Sequence, residues 1–134
     1  MKEFILEAGQ DLAGLSEFLC EWEYDLDLIR FDEQTRRLEV KLSRSVLDPR
    51  AYTGNFFARL FHIRYTPMVM CAHFCDVLSF EFSDPYGIKA TAIETVAVQN
   101  GKIVVRGEVP ITLKINAKRP YLVQCTEPEC AECP

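Results

Sequence analysis

The sequence predicts an α+β domain that is mainly β, with one N-terminal amphipathic helix followed by about seven short strands in a curled antiparallel sheet or sandwich. Three observations lead there. Apolar residues recur at helical spacing between residues 12 and 22. Apolar and polar residues then alternate in several short runs beyond residue 24. Those runs are separated by turn chemistry rather than by helical segments or long linkers.

Residues 2–6 read as a short strand. Asp11 stands where an N-cap belongs, and Leu12, Leu15, Leu19 and Trp22, with Phe18 beside them, form the apolar stripe of a helix over 12–22. Glu17 and Glu21 fall on its opposite face. The run from Leu26 to Phe31 has one break in its alternation, which suggests a bulged strand. Leu38, Val40 and Leu42 alternate with Glu39, Lys41 and Ser43, so the two runs should form a hairpin turning at Asp32-Glu33-Gln34-Thr35. After a loop with Asp48-Pro49 and Gly54, residues Phe57, Phe61, Ile63 and Tyr65 outline a strand. Thr66-Pro67 should end it, because proline cannot donate to a ladder.

Met68 to Asp76 is compatible with helix or strand, whereas Leu78, Phe80 and Phe82 alternate with Ser79, Glu81 and Ser83 as a strand does. Asp84-Pro85-Tyr86-Gly87 is a turn by chemistry, since proline presets φ at its second position. Residues 91–98 and 102–107 flank Asn100-Gly101, which suits a type I′ hairpin turn because both central residues there need positive φ. Ile111, Leu113 and Ile115 outline a last strand.

The 134 residues, 49% hydrophobic and 26% charged, fit a chain that folds around one core. Residues 1–124 read as a single globular domain and 125–134 as a cysteine-rich C-terminal tail. No stretch approaches the ~20 consecutive apolar residues of a membrane-spanning helix, and the first residues lack the long uncharged run of a secretory signal. A cytoplasmic protein with no membrane partner is expected. The net charge of −5 argues against nucleic acid as a partner, because that binding relies on Lys and Arg at phosphates.

The charge is unevenly spread. Residues 1–35 hold ten carboxylates against only Lys2 and Arg30, so this quarter is acidic and the remainder slightly basic. A solvated face explains such a block. So does a surface complementary to a basic protein partner, and Glu17, Glu21, Asp25 and Asp27 are the partner-binding candidates.

Cysteines at 125, 130 and 133 offer three thiolates where zinc takes four ligands. Cys71, Cys75, His73 or Cys20 would have to supply the fourth. On a strand, positions 71 and 75 lie about 13 Å apart and cannot share an ion, whereas a helix brings them together. The plainer account is a free tail with buried packing cysteines elsewhere; no other cofactor is indicated. His62 and His73 sit in apolar, strand-like contexts without a nucleophile elbow or a metalloprotease helix, so no catalytic residue is assigned.

The order of Trp22, Tyr24-Asp25, a first strand, the turn at Asp32–Thr35, the alternation Arg37-Leu38-Glu39-Val40-Lys41-Leu42, and then Asp76-Val77-Leu78-Ser79-Phe80-Glu81-Phe82 before a closing hairpin resembles small bacterial β-rich proteins of unknown function, including immunity proteins of polymorphic toxin systems. It covers residues 20–107 in pattern and does not include the cysteines at the end. The resemblance implies a cognate-binding protein without an active site. The expected function is therefore a non-enzymatic, immunity-like interaction protein. The alternatives are an enzyme or ligand-binding protein with a pocket in the sheet near His62 or His73, and a small zinc-binding protein. An exposed edge strand would also give a route to a homodimer.

Overall fold

The computed structural model describes residues 1–7, 9–47 and 65–130. In chain order these form β1 (Lys2–Ile5), α1 (Gly9–Leu19), β2 (Glu23–Asp25), a 3-10 turn (Leu26–Leu28), β3 (Arg30–Asp32), β4 (Arg37–Leu47), β5 (Tyr65–Phe74), β6 (Val77–Ser83), β7 (Ala90–Gln99), β8 (Lys102–Gly107), β9 (Thr112–Ala117), β10 (Leu122–Cys125) and β11 (Glu129–Cys130). The domain is α+β and mainly β. All strand pairing among the described residues is antiparallel, in the order β1-β10-β5-β4-β2-β7-β8-β9-β6, with β3 beside β4 and β11 beside β5.

The helix runs earlier than its apolar spacing suggests. Asp11 lies inside the first turn rather than at the N-cap, because β1 ends close enough for its carboxylate to accept the Ile5 N–H at 2.9 Å. Leu15 and Leu19 carry the buried stripe. The helix stops at Leu19, short of Trp22, since Glu21 takes a left-handed φ of 71° that closes the last turn. Trp22 is still buried, through strand contacts: its carbonyl accepts the Ile93 N–H, and Glu21 N–H donates to the Ile93 carbonyl.

The break in alternation after Tyr24 is a 3-10 turn rather than a bulge. Asp25 caps it by accepting the Asp27 N–H at 2.9 Å, which rotates Leu26 inward and leaves Leu28 outside. The β3–β4 hairpin follows, with Phe31 opposite Leu38 and Asp32 opposite Arg37. The region before Asp76 is strand, not helix. Strand β5 also runs through Thr66-Pro67, which were expected to end it. Cys71 directs its N–H and C=O toward Thr126, so two-residue alternation turns the Pro67 nitrogen the same way, and β4 asks no donor of it. The loop with Asp48-Pro49 and Gly54, and the residues Phe57, Phe61 and Ile63, lie outside the described residues.

The short β2 bridges two halves, pairing with β4 on one side and β7 on the other. Their inner faces meet. Leu38, Val40, Leu42 and Phe74 from one half join Ile93, Val105, Leu113 and Ile115 from the other in a single buried cluster. Between them lies a void of only about 10 Å3, lined in part by Leu19, Tyr24, Val40 and Ile93, space for one water. Among the described residues, side chains fill the junction between the two halves.

Both turn readings hold. Asn100 and Gly101 have φ of 52° and 74°, as a type I′ turn requires, and Asp84 gathers the Gly87, Ile88 and Lys89 N–H groups with its carbonyl and carboxylate. Beyond Gln124 the chain stays in the sheet: Cys125 closes β10 and Glu129–Cys130 pair with Val69 and Met68.

One glycine is fixed by packing. A Cβ at Gly107 would overlap the side chain of buried Thr91, whose hydroxyl donates to the Ala92 carbonyl and accepts the Val109 N–H. The obstruction is close to the Thr91 backbone and cannot swing away. Gly107→Ala should therefore destabilise the fold by about 1–3 kcal/mol, the usual size of an overpacking effect, read as a lowered urea midpoint with unchanged slope.

Candidate functional site

Along β5 the residues Met70, Ala72 and Phe74 are buried, which turns Cys71, His73 and Cys75 to the outer face. Register then aligns residues far apart in the chain. Glu3, Gln124, His73, Glu39 and Arg30 form one row across β1, β10, β5, β4 and β3. The row is bonded: Gln124 Nε2 donates to Glu3 Oε1 at 2.8 Å, and Gln124 Oε1 accepts from an Arg37 terminal nitrogen at 2.7 Å. Glu39 Oε1 accepts from the Cys71 thiol at 3.4 Å. Arg37 Nε is buried with no hydrogen-bond partner.

At the β3–β4 end of this face lies an open concavity of about 650 Å3, lined by Arg30, Phe31, the turn Asp32–Thr35, Arg37, Glu39 and His73. Asp32 shapes it by accepting the Gln34 and Thr35 N–H groups, which also lowers its own pKa.

The electrostatics oppose nucleophilic chemistry. Burial, reinforced by Glu39, raises the Cys71 pKa and keeps the thiol protonated, while burial and the Arg37 charge lower that of His73, Glu39 opposing. A cysteine nucleophile needs the reverse, a stabilised thiolate beside an imidazolium. Here the thiol bonds to a carboxylate instead. The neutral imidazole remains able to accept a proton or a hydrogen bond.

The cysteines expected to share a metal are placed apart. Cys71 lies within β5 and Cys75 one residue past its end, so the chain between them is strand rather than the helical turn that would bring them together. Cys125 is fully buried and, opposite Ala72, belongs to the inner face, across the sheet from Cys71 and His73. Burial pushes its thiol up to about 12, with Lys2 opposing. Cys130 lies opposite Met68, and Cys20 is half-buried just past α1. Cys133 and His62 are outside the described residues. Among the described residues no group of three or more His, Cys, Asp or Glu side chains is arranged to hold a metal ion.

The acidic candidates lie on α1, its exit, β2 and the 3-10 turn. Glu17 is exposed on the helix. Glu21 pairs with Arg44 at 3.1 Å and Asp27 with Lys89 at 3.5 Å, both at exposed sites, while Asp25 is engaged in its cap. Exposed pairs of this kind contribute little and exchange readily for other cations. Three of the four candidates thus already hold internal partners.

Sequence reasoning missed Arg37, Glu39 and Gln124 as members of one network. The outward parity of Arg37 and Glu39 was readable from β4, but nothing local pairs Gln124 with residue 73. No family model matches this chain, and neither curated proteins nor solved structures give a significant match to it.

Two predictions follow from these environments. The folded protein holds His73 below its ordinary pKa of 6.5, so as pH falls the unfolded chain takes up that proton first. Stability is therefore lost from about pH 6.5 downward until the folded-state pKa is reached. Melting temperatures from about pH 7.5 to 5.5 should fall less steeply in His73→Gln than in the wild type. The second concerns Cys125: alkylation of native protein near pH 8, read by peptide mass spectrometry, should leave it unmodified until denaturant is added.

Proposed function

We propose that this protein is a non-enzymatic interaction protein that binds a basic protein surface, in the manner of an immunity protein. The observation that supports this reading is the junction of the two half-sheets, where among the described residues the side chains leave a void of about 10 Å3, too small for a substrate, so that binding falls to the surface. The concavity beside His73 is open and mixed in charge, features that suit surface contact better than enclosure of a small substrate.

Glu17, Glu21, Asp25 and Asp27 are the proposed contact residues. Glu17 is exposed, and Glu21 and Asp27 can exchange Arg44 and Lys89 for a partner's cations at little expense. Asp25 has a structural duty as a cap, so a test should spare it. Affinity capture from source cells with wild-type protein and with the variant Glu17→Lys, Glu21→Lys, Asp27→Lys should show a basic protein lost from the variant and released from the wild type by salt. Equal recovery on both baits, with circular dichroism unchanged, would remove these carboxylates from the interface.

A further inference from the structure

Among the described residues β6 ends the strand path, pairing with β9; on its other side the Val77 N–H donates to the Arg36 carbonyl at 2.8 Å, and no strand pairs with it from Leu78 to Ser83. On its inner face Phe80 stands opposite Ile115 and Phe82 opposite Leu113. Phe80 is half-buried against Phe31, with ring centres 5.6 Å apart, but Phe82 is 52% exposed. Leu78, at the register shift between Val77 and Ser79, is 48% exposed.

Edge strands in monomers are ordinarily blunted by lysine, proline, a covering element or a side-chain cap. The other edge follows this rule: β1 carries Lys2 and Glu3, α1 packs against it, and the Asp11 carboxylate caps the Ile5 N–H. Strand β6, Val-Leu-Ser-Phe-Glu-Phe-Ser, has neither lysine nor proline, and its blunting is confined to its start, where the bulge lies and the Arg36 carbonyl holds the Val77 N–H.

We propose that two copies of this chain associate through β6, strand against antiparallel strand about a two-fold axis at Phe80, so that the sheet continues across the pair. Charge selects this register. Cross-strand partners must share a face, so the axis passes at a residue, and beyond the register shift at Val77/Ser79 the central positions are Phe80, Glu81 and Phe82. Centring on Glu81 opposes two carboxylates directly, and centring on Phe82 sets Phe80 against the partner's Asp84. Centring on Phe80 sets ring against ring and places Glu81 opposite the partner's Ser79, while its own Lys102 stays 3.9 Å away. Phe82 then meets the bulge that carries the partner's Leu78, covering apolar surface that the monomer leaves in water. This pairing uses none of Glu17, Glu21, Asp25 and Asp27.

Sedimentation equilibrium on the full chain, across a roughly hundredfold concentration range, provides the test. The wild type should dimerise. Phe82→Lys, at an exposed position, should be monomeric with unchanged circular dichroism. Ser79→Lys should tighten the dimer about threefold or more, because each added lysine faces the partner's Glu81. A wild type that stays monomeric throughout overturns the proposal, as does a dimer that Phe82→Lys leaves intact. Tightening by Glu81→Gln without tightening by Ser79→Lys would overturn the Phe80-centred register.

Discussion

The ladder between β4 and β5 decides what the rest of this molecule can present. Its ten residue pairs, from Leu38 opposite Phe74 to Leu47 opposite Tyr65, lie at the middle of one sheet half. Side chains alternate with a period of two, so a slip of β5 by one residue would bring Cys71 and His73 into the core and put Phe74 in water. The buried set Leu38, Val40, Leu42, Met70, Ala72 and Phe74 holds the register by its own burial. The outer row of Arg37, Glu39, Cys71 and His73 is a consequence of that packing rather than an independent arrangement. This explains how groups of opposite charge come to share one face with half-buried thiols and still assemble no reactive pair.

The same logic governs the acidic N-terminal quarter. Its charge would be costly if left as an unbroken field on a small domain. The fold distributes it instead: Glu7 lies 3.5 Å from Arg119, Glu21 pairs with Arg44, Asp27 with Lys89, and Glu3 is reached by Gln124. Asp11, Asp25 and Asp32 accept backbone N–H groups at connections, where no neighbouring strand supplies an acceptor. Much of what looks in sequence like an acidic surface is thus a set of caps and cross-chain pairs. The carboxylates left for another molecule are those at exposed, weakly held positions.

Local chemistry in this chain was legible from sequence and long-range pairing was not. Asn100-Gly101, Asp84–Gly87 and the turn after Asp32 could be read because φ preferences and side-chain-to-backbone bonds act within four residues. The inward rows of β4 and β9 followed from alternation. Nothing local reveals that β10 returns to lie between β1 and β5, and so nothing in the sequence places Gln124 between Glu3 and His73. The cysteines past Gln124 misled for the same reason. Their crowding suggested a separate tail, yet Val123 and Cys125 are fully buried once β10 takes that place. Pro67 misled differently: a proline ends a strand only where its nitrogen faces a neighbour that needs a donor.

The helix completes the sheet at a point where a strand is missing. Beyond residue 92, β7 parts from β2, and its N–H groups on that side would be orphaned. Ser16 Oγ accepts the Val96 N–H at 3.0 Å, and the backbone of Glu21 and Trp22 exchanges two hydrogen bonds with Ile93. Leu15 and Leu19 meanwhile enter the core from the same element. A buried backbone donor without a partner costs about as much as a lost hydrogen bond, so α1 and the residues at its exit close this gap while the helix supplies apolar contact. That dual engagement fixes the helix to β7 and thereby fixes the position of its exposed Glu17. A surface built on an element held this way stays in register with the core and keeps its order without outside contacts.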